Sequence, residues 1–364
     1  MRLEPFFVDD LEATLQFRRT LPARLRAIID ALDPRGKQSI SGMVEFRGTR
    51  DDDFVTAAWE TETVYAGTTL NAGVDLSELH GKAFFRGTWD GAQALGEGRI
   101  KLNSVKVFKR YQLTDIEGPV RLDGSRLVLG SNPSPGRRGP VDPDPARHLS
   151  AHFIEGQIFL DAVVELGDSN HPMRYGVYAK LTSGNLKRFA QLYMKTSHNR
   201  LDGTMNGTIG FTGVGTNPKN LEGNGNLVIS PAALYELPVV VQIFNVLSFI
   251  PPDKTAFRQA LFAFSIGGGL VHFDHIDLVG DSINLLGRGT VNFDGNVRLD
   301  FASRMGRRSL PIPILREVIS EATKGAVGVV VRGTLETPIS EVRSLPQMDD
   351  ALRRLFDSRG AQRR

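Results

Sequence analysis

Alternating apolar and polar side chains run through much of the chain and predict β-strands. In the clearest early example, Val55, Trp59 and Tyr65 share one parity while Glu60 and Glu62 share the other. Similar short alternations recur at 82–88, 98–103, 104–111, 156–165 and 175–181, with turn residues between them. We therefore expect a mainly β protein built as an elongated antiparallel meander with few helices.

The longest alternation lies between Ser282 and Asp294. The even positions are polar except Leu286, which predicts one wet face and one apolar face. The odd positions form the apolar face: Ile283, Leu285, Gly287, Gly289, Val291 and Phe293. This strand is longer than the usual five or six residues, which suggests that it lines an extended surface.

Turn geometry predicts how this strand joins its neighbours. The apolar face of this strand and that of the following strand coincide only if Phe293 pairs with Val297 across a three-residue loop. Upstream, the same condition requires a two-residue turn at Gly280-Asp281, which places Leu278 opposite Ile283. The three strands then form a meander with a shared apolar face.

Three segments carry helical signals. An apolar stripe with Pro22 near its start predicts a helix over residues 21–32. A second helix is predicted over 231–249, with Ser230 as its N-cap residue and Pro231 at the first helical position. Pro238 is expected to break or kink it. A third is expected near 314–324.

A segment with five prolines between residues 131 and 145 has almost no apolar side chains to pack. We interpret 131–150 as a linker between two β-rich parts. The predicted organisation is an N-terminal β-rich segment (1–130), this linker, a C-terminal β domain (151–345) and a charged tail (346–364).

Composition excludes several classes of protein. The 364 residues include no cysteine, which rules out disulfides, cysteine-ligated metals and thiol nucleophiles. The formal net charge is +3, and acidic residues are mixed through every segment, so we expect no nucleic-acid partner. No apolar run approaches a membrane span, and the residues after Met1 lack the layout of a signal peptide.

Candidate catalytic and metal-binding motifs are weak. The segment His272-Phe273-Asp274-His275-Ile276-Asp277 concentrates four potential ligands, but alternation sends them to opposite faces unless a bulge intervenes near Asp274 and His275. The glycine-rich segments lack the spacing for pyrophosphate binding, and no nucleophile elbow or His-Glu-x-x-His pair occurs. We expect no enzymatic activity, no cofactor and no metal.

The second half contains four features in a fixed order: Leu221–Ser230, the apolar helix with Leu237-Pro238, the meander over 269–301 and the run Val329–Pro338. Over about residues 200–345, this order of elements resembles the C-terminal region of AsmA-like proteins. The resemblance implies a bridge-like lipid-transfer protein of the bacterial envelope, with a long curved sheet that forms an apolar-lined groove. Periplasmic or envelope location, an inner-membrane anchor outside this chain, and phospholipid, membrane-surface or envelope-protein partners are implied in the same way.

The predicted lipid-contacting residues lie on the apolar face of the meander. They are Val271, Phe273, Ile276, Leu278, Ile283, Leu285, Val291, Phe293, Val297, Leu299 and Phe301. The same alternation would also serve an ordinary closed β core. A β-rich structural or carbohydrate-binding surface module is the alternative from another functional class.

Overall fold

The protein is mainly β and antiparallel, which confirms the predicted fold class. The computed structural model describes residues 2–20, 23–48, 56–131, 147–167, 171–194, 201–234, 236–247, 257–305 and 326–343. Within these residues lie eighteen strands, four short α-helices and one turn of 3-10 helix at Pro218–Asn220.

The chain divides into two compact units. The first comprises residues 1–181 and 210–220, and the second comprises 182–209 and 221–364. The strands β10 (Arg174–Asn185) and β11 (Asp202–Val214) each contribute residues to both units. The predicted boundary at 131–150 does not coincide with this division, because the strands on either side of it belong to the first unit.

The first unit is built on an antiparallel meander from β2 to β6. The strand β1 pairs with β2, β7 and β8 both pair with β6, and β9 pairs with β7 and β8. Its elements are β1 (Arg2–Leu11), α1 (Leu15–Thr20), α2 (Ala23–Leu32), β2 (Gln38–Arg47), β3 (Thr56–Asn71), β4 (Asp75–Trp89), β5 (Ala94–Val107), β6 (Tyr111–Asp123), β7 (Arg126–Leu129), β8 (Leu149–Phe153) and β9 (Gly156–Glu165). The helix predicted over 21–32 is present as α2.

Alternation gives the first unit's sheet two chemically different faces. On one face, Lys82 pairs with Glu62, and Arg86 with Glu97, in ion pairs between neighbouring strands. On the other face a cluster of buried apolar side chains spans β4, β5, β6 and β8. Its members are Leu79, Leu102, Val105, Leu113, Ile116, Leu149 and Ala151.

The second unit is a consecutive antiparallel meander from β12 to β18. A short amphipathic helix, α3 (Leu186–Tyr193), precedes it, with the Asn185 side chain accepting a hydrogen bond from the Arg188 backbone N–H at its start. The remaining elements are β12 (Glu222–Ala233), α4 (Pro238–Val246), β13 (Gln259–Gly267), β14 (Leu270–Val279), β15 (Ile283–Asn292), β16 (Asn296–Met305), β17 (Ala326–Thr334) and β18 (Pro338–Arg343). The predicted third helix and the charged tail lie outside the described residues.

The helix predicted over 231–249 is shorter than expected. Ser230 and Pro231 belong to the end of β12, and α4 begins at Pro238 with Leu237 as its N-cap residue. Pro238 occupies the first helical turn, where its missing N–H costs nothing and its fixed φ suits the helix. The proline that was expected to break the helix therefore starts it.

Both predicted turns place the correct faces together but in a shifted register. Leu278 pairs with Leu285 rather than with Ile283, and Val297 pairs with Val291 rather than with Phe293. Each shift is two residues, which preserves the face of every side chain. The turn after β15 is longer than predicted, and within it Gly295 adopts the left-handed conformation (φ +87°) that glycine tolerates.

A buried polar cluster explains why the proline-rich segment does not separate two domains. Asp161 of β9 accepts hydrogen bonds from the Ser131 N–H (2.7 Å) and hydroxyl (2.9 Å), and His148 Nδ1 lies 2.8 Å from its Oδ1. His148 and Asp161 are both almost fully buried. Ser131 and His148 flank the proline-rich residues, so one carboxylate of β9 holds both ends of the segment against the first unit's sheet.

Replacing Asp161 with Asn should destabilise the first unit by about 2–4 kcal/mol, because His148 and Ser131 lose a charged acceptor that they share in the interior. The measurement is urea unfolding followed by circular dichroism. The exposed Asp123 of β6 provides the matched control, and Asp123→Asn should change stability by less than about 0.5 kcal/mol. Equal effects of the two substitutions would show that the buried cluster does not hold the segment.

Candidate functional site

The strands β14, β15 and β16 bring ten of the eleven predicted lipid-contacting residues onto one face of the second unit. We call this surface, together with the residues in register on β13 and β17, the apolar face. Cross-strand pairing aligns Ile276 with Gly287 and Gly287 with Phe301, and it aligns Leu299 with Gly289. The ten residues are Val271, Phe273, Ile276, Leu278, Ile283, Leu285, Val291, Val297, Leu299 and Phe301.

Phe293 is the exception, and its place on this face stays a prediction. It lies in the turn between β15 and β16 and is 44% exposed. The turn is closed by Asn292, whose carbonyl oxygen accepts from the Gly295 N–H (3.0 Å) and whose side chain accepts from the Asn296 N–H (2.7 Å). The regular strand ends at Asn292, although the Phe293 N–H still donates to the Gly269 carbonyl oxygen (3.4 Å).

Burial varies along the strands of the apolar face. Ile283 and Leu285 are fully buried. Val271, Phe273 and Val291, near the turns that join β13 to β14 and β15 to β16, are only half-buried. The closed-core interpretation therefore applies to the part of the face around Leu285, and the water-accessible part lies at the other end of β14 and β15. On β16, Val297 and Leu299 stay buried at that end.

The helix α4 packs on this face at β17 and β18. The Ser340 hydroxyl donates a hydrogen bond to the Gln242 carbonyl oxygen (2.9 Å), and Ser340 is in register with Val331, which shares the face. Val240, Ile243 and Phe244 of α4 are buried. A helix that is apolar on most sides is thus stabilised because its side chains enter the same core as the sheet.

Three phenylalanines form an aromatic cluster on the half-buried part of the face. The ring centroid of Phe273 lies 6.2 Å from that of Phe262 and 6.0 Å from that of Phe264. Phe262 and Phe264 were missed by the sequence reasoning, although Phe262, Phe264 and Ile266 share one parity along β13 and alternate with Ala263 and Ser265. That alternation was the signal that could have included β13 in the site.

Glycines on neighbouring strands make room for the rings. A Cβ at Gly287 would overlap the ring of Phe301, and a Cβ at Gly225 would overlap the ring of Phe264. Each ring therefore lies across the backbone of the next strand instead of standing away from the sheet. The result is a shallow apolar surface formed by the faces of the rings.

The first unit carries a second half-buried apolar surface. Trp59, Phe85 and Ile100 lie on the same side of β3, β4 and β5 as the buried cluster described above, and each is half-buried. Tyr65 shares this side, and burial raises the pKa of its phenol above the ordinary value. The sequence analysis recognised β3 as a strand but did not include this surface among the site residues.

The histidine and aspartate segment of β14 contains the expected bulge. Pairing shifts between Phe273 and Ile276, so Asp274 and His275 interrupt the regular ladder. The described residues contain no group of three or more histidine, aspartate or glutamate side chains arranged to hold a metal ion. The expectation that the segment is not a metal site stays a prediction.

Comparison with known proteins identifies no relative: no family model, curated protein or solved structure matches the chain. Among the described helices, none has both the length and the apolar character of a membrane span.

The difference in burial along β15 can be tested with one substitution at two positions. Leu285→Asp should cost more than about 3 kcal/mol, because the carboxylate is buried without a partner, while Val291→Asp can reach water and should cost about 1 kcal/mol. Urea unfolding of both variants measures the difference. Similar destabilisation at the two positions would mean that the whole face is closed.

Proposed function

We propose that the protein binds the acyl chains of lipids on its apolar sheet surfaces, as a non-enzymatic module of the bacterial envelope that contributes to lipid transport or outer-membrane assembly. The observation that carries this proposal is the half-buried aromatic cluster of Phe262, Phe264 and Phe273. Accessible rings at the end of a fully buried core provide apolar area that a lipid chain could cover.

The chemistry of this surface favours binding over catalysis. Aliphatic and aromatic side chains offer no nucleophile and no group that transfers protons, whereas an acyl chain needs only a continuous strip that excludes water. Covering apolar area contributes about 25 cal/mol per Å². Each additional ring covered by a chain therefore adds to affinity without requiring a specific polar contact.

The predicted groove is part of this proposal. Phe264, Phe273 and Gly289 are aligned across three strands and are all half-buried, so a chain lying across these strands would meet an apolar or backbone surface at each step. In the first unit, Trp59 and Phe85 present a comparable surface. We propose that each unit offers its own stretch of acyl-chain contact.

The envelope location and the membrane-anchored context rest on the resemblance to AsmA-like proteins. The partners that follow from it are phospholipid or another acyl lipid, together with a membrane surface or other envelope proteins. The closed-core alternative is favoured by a different observation, the complete burial of Ile283 and Leu285. It describes a structural module whose accessible rings bind nothing.

Photo-crosslinking separates these two functions. A benzophenone amino acid at Phe273 should form adducts with phospholipid when the protein is made in a diderm bacterium, because this half-buried ring lies on the proposed contact surface. Mass spectrometry of the purified protein detects the adduct. Leu261 is the matched control, since it is also half-buried but lies on the opposite face of β13.

A lipid adduct at position 273 and none at position 261 would support acyl-chain binding. Absence of adducts at both positions, in a protein with an unchanged melting temperature, would contradict the proposal and favour the closed-core module. Equal adducts at both positions would also contradict it, because they would indicate contact with lipid without a preferred face.

A further inference from the structure

Two arginines lie directly opposite each other on the polar face of the second unit. Arg298 of β16 pairs in register with Arg332 of β17, and both side chains are exposed. Directly opposed residues have Cβ atoms about 4.5–5.5 Å apart, and like charges at that separation destabilise a sheet. In the part of the chain that the structure describes, neither guanidinium forms an ion pair or a hydrogen bond. Among the described residues, the pair is therefore a local positive charge without a carboxylate bound to it.

Exposed apolar side chains border this arginine pair. Ile339 of β18 is in register with Arg332 and is 67% exposed. Phe293 and Leu335, in the turns after β15 and β17, are 44% and 46% exposed. The Leu335 N–H donates to the Gly295 carbonyl oxygen (2.9 Å), so the two turns are held together. One end of the second unit thus presents a cationic pair beside three accessible apolar groups.

We propose that this end of the second unit docks on an anionic lipid surface, with Arg298 and Arg332 bound to headgroup phosphates and the three apolar side chains in the interfacial region. A guanidinium matches phosphate with two parallel N–H donors, and cationic groups beside apolar ones are typical of interfacial binding. A small free phosphate would leave Phe293, Leu335 and Ile339 in water. The site rests on the membrane-surface partner of the proposed function, and it is separate from acyl-chain binding because Arg298, Arg332 and Ile339 lie on the opposite face of their strands.

Nearby carboxylates limit the strength of this docking. Asp294 and Glu336 belong to the two turns. Asp300 follows Arg298 by two residues on β16 and therefore lies on the same face of the sheet. These groups repel phosphate at short range. We therefore expect modest affinity that increases when Asp294 is neutralised.

The test is flotation of the full chain with vesicles of phosphatidylglycerol and phosphatidylcholine, and with vesicles of phosphatidylcholine alone. Arg332→Gln should lower partitioning onto the anionic vesicles about fivefold, because one basic residue near such a surface contributes about 1 kcal/mol. Asp294→Asn should raise it. Leu335→Ser should lower it even though the charge is unchanged.

Arg258→Gln is the matched control. Arg258 is exposed and carries the same charge, but it is paired with Asp281 (2.7 Å) and precedes β13, at the other end of the strands. If Arg258→Gln and Arg332→Gln lowered partitioning equally, the effect would depend only on the net charge of the protein, and the proposal would be overturned. Displacement of the protein from vesicles by glycerol 3-phosphate would overturn it as well, by revealing a site for a small phosphate ester.

This experiment is independent of acyl-chain binding. The crosslink at Phe273 reports on the apolar face, and Arg332→Gln leaves that face unchanged. Loss of vesicle binding with a retained crosslink would support docking and acyl-chain contact as separate properties. Unchanged vesicle binding in Arg332→Gln, whatever the crosslink shows, would contradict the docking surface alone.

Discussion

A sheet with one apolar face must keep that face away from water, and this constraint explains most of the second unit. Backbone hydrogen bonds are satisfied by the neighbouring strands, so the sheet itself does nothing to shield its side chains. In the described chain, α4 supplies cover at β17 and β18 through Val240, Ile243 and Phe244. Towards the turns at the other end of β14 and β15, Phe273 and Val291 are left half-buried.

Glycine and aromatic residues determine the form of the accessible surface. In the second unit, the ring of the half-buried Phe264 lies across Gly225 of the adjacent strand. The first unit repeats the arrangement, because a Cβ at Gly96 would overlap Phe85 and one at Gly87 would overlap Trp59. A flat ring covers more of the backbone than an upright side chain does, so the surface stays apolar while remaining shallow. Such a surface suits a flexible chain better than it suits a rigid polar ligand.

Alternation alone was enough to predict which side chains share a face, but not which residues are neighbours. Leu278 and Leu285 were correctly placed on one face, and the register between them was wrong by two residues. A two-residue shift leaves every face unchanged, so the pattern contains no information that distinguishes the two registers. The turn decides between them, and in the turn from β14 to β15 the Asn284 side chain accepts a hydrogen bond from the Gly280 N–H (3.0 Å), which depends on the folded geometry.

The sequence pattern also could not predict how burial varies along a strand or which polar side chains form tertiary contacts. Leu285 and Val291 look equivalent in the pattern, yet only Leu285 is fully buried. Similarly, the proline-rich segment resembles a linker by composition, while Asp161 binds Ser131 and His148 from a strand that follows it. A single buried carboxylate thereby overrides a compositional signal that extends over many residues.

The two polar faces show how the same alternation can serve different purposes. In the first unit, Arg86 and Glu97 face each other across β4 and β5, as do Arg99 and Glu117 across β5 and β6, so opposite charges compensate locally. Exposed pairs of this kind contribute little to stability, about 0–1 kcal/mol each, but they leave little net field. The second unit places Arg332 opposite Arg298, and within the described chain neither guanidinium forms an ion pair with a nearby carboxylate such as Asp300. An anionic partner of the kind proposed above would compensate a repulsion that otherwise lowers the stability of the sheet.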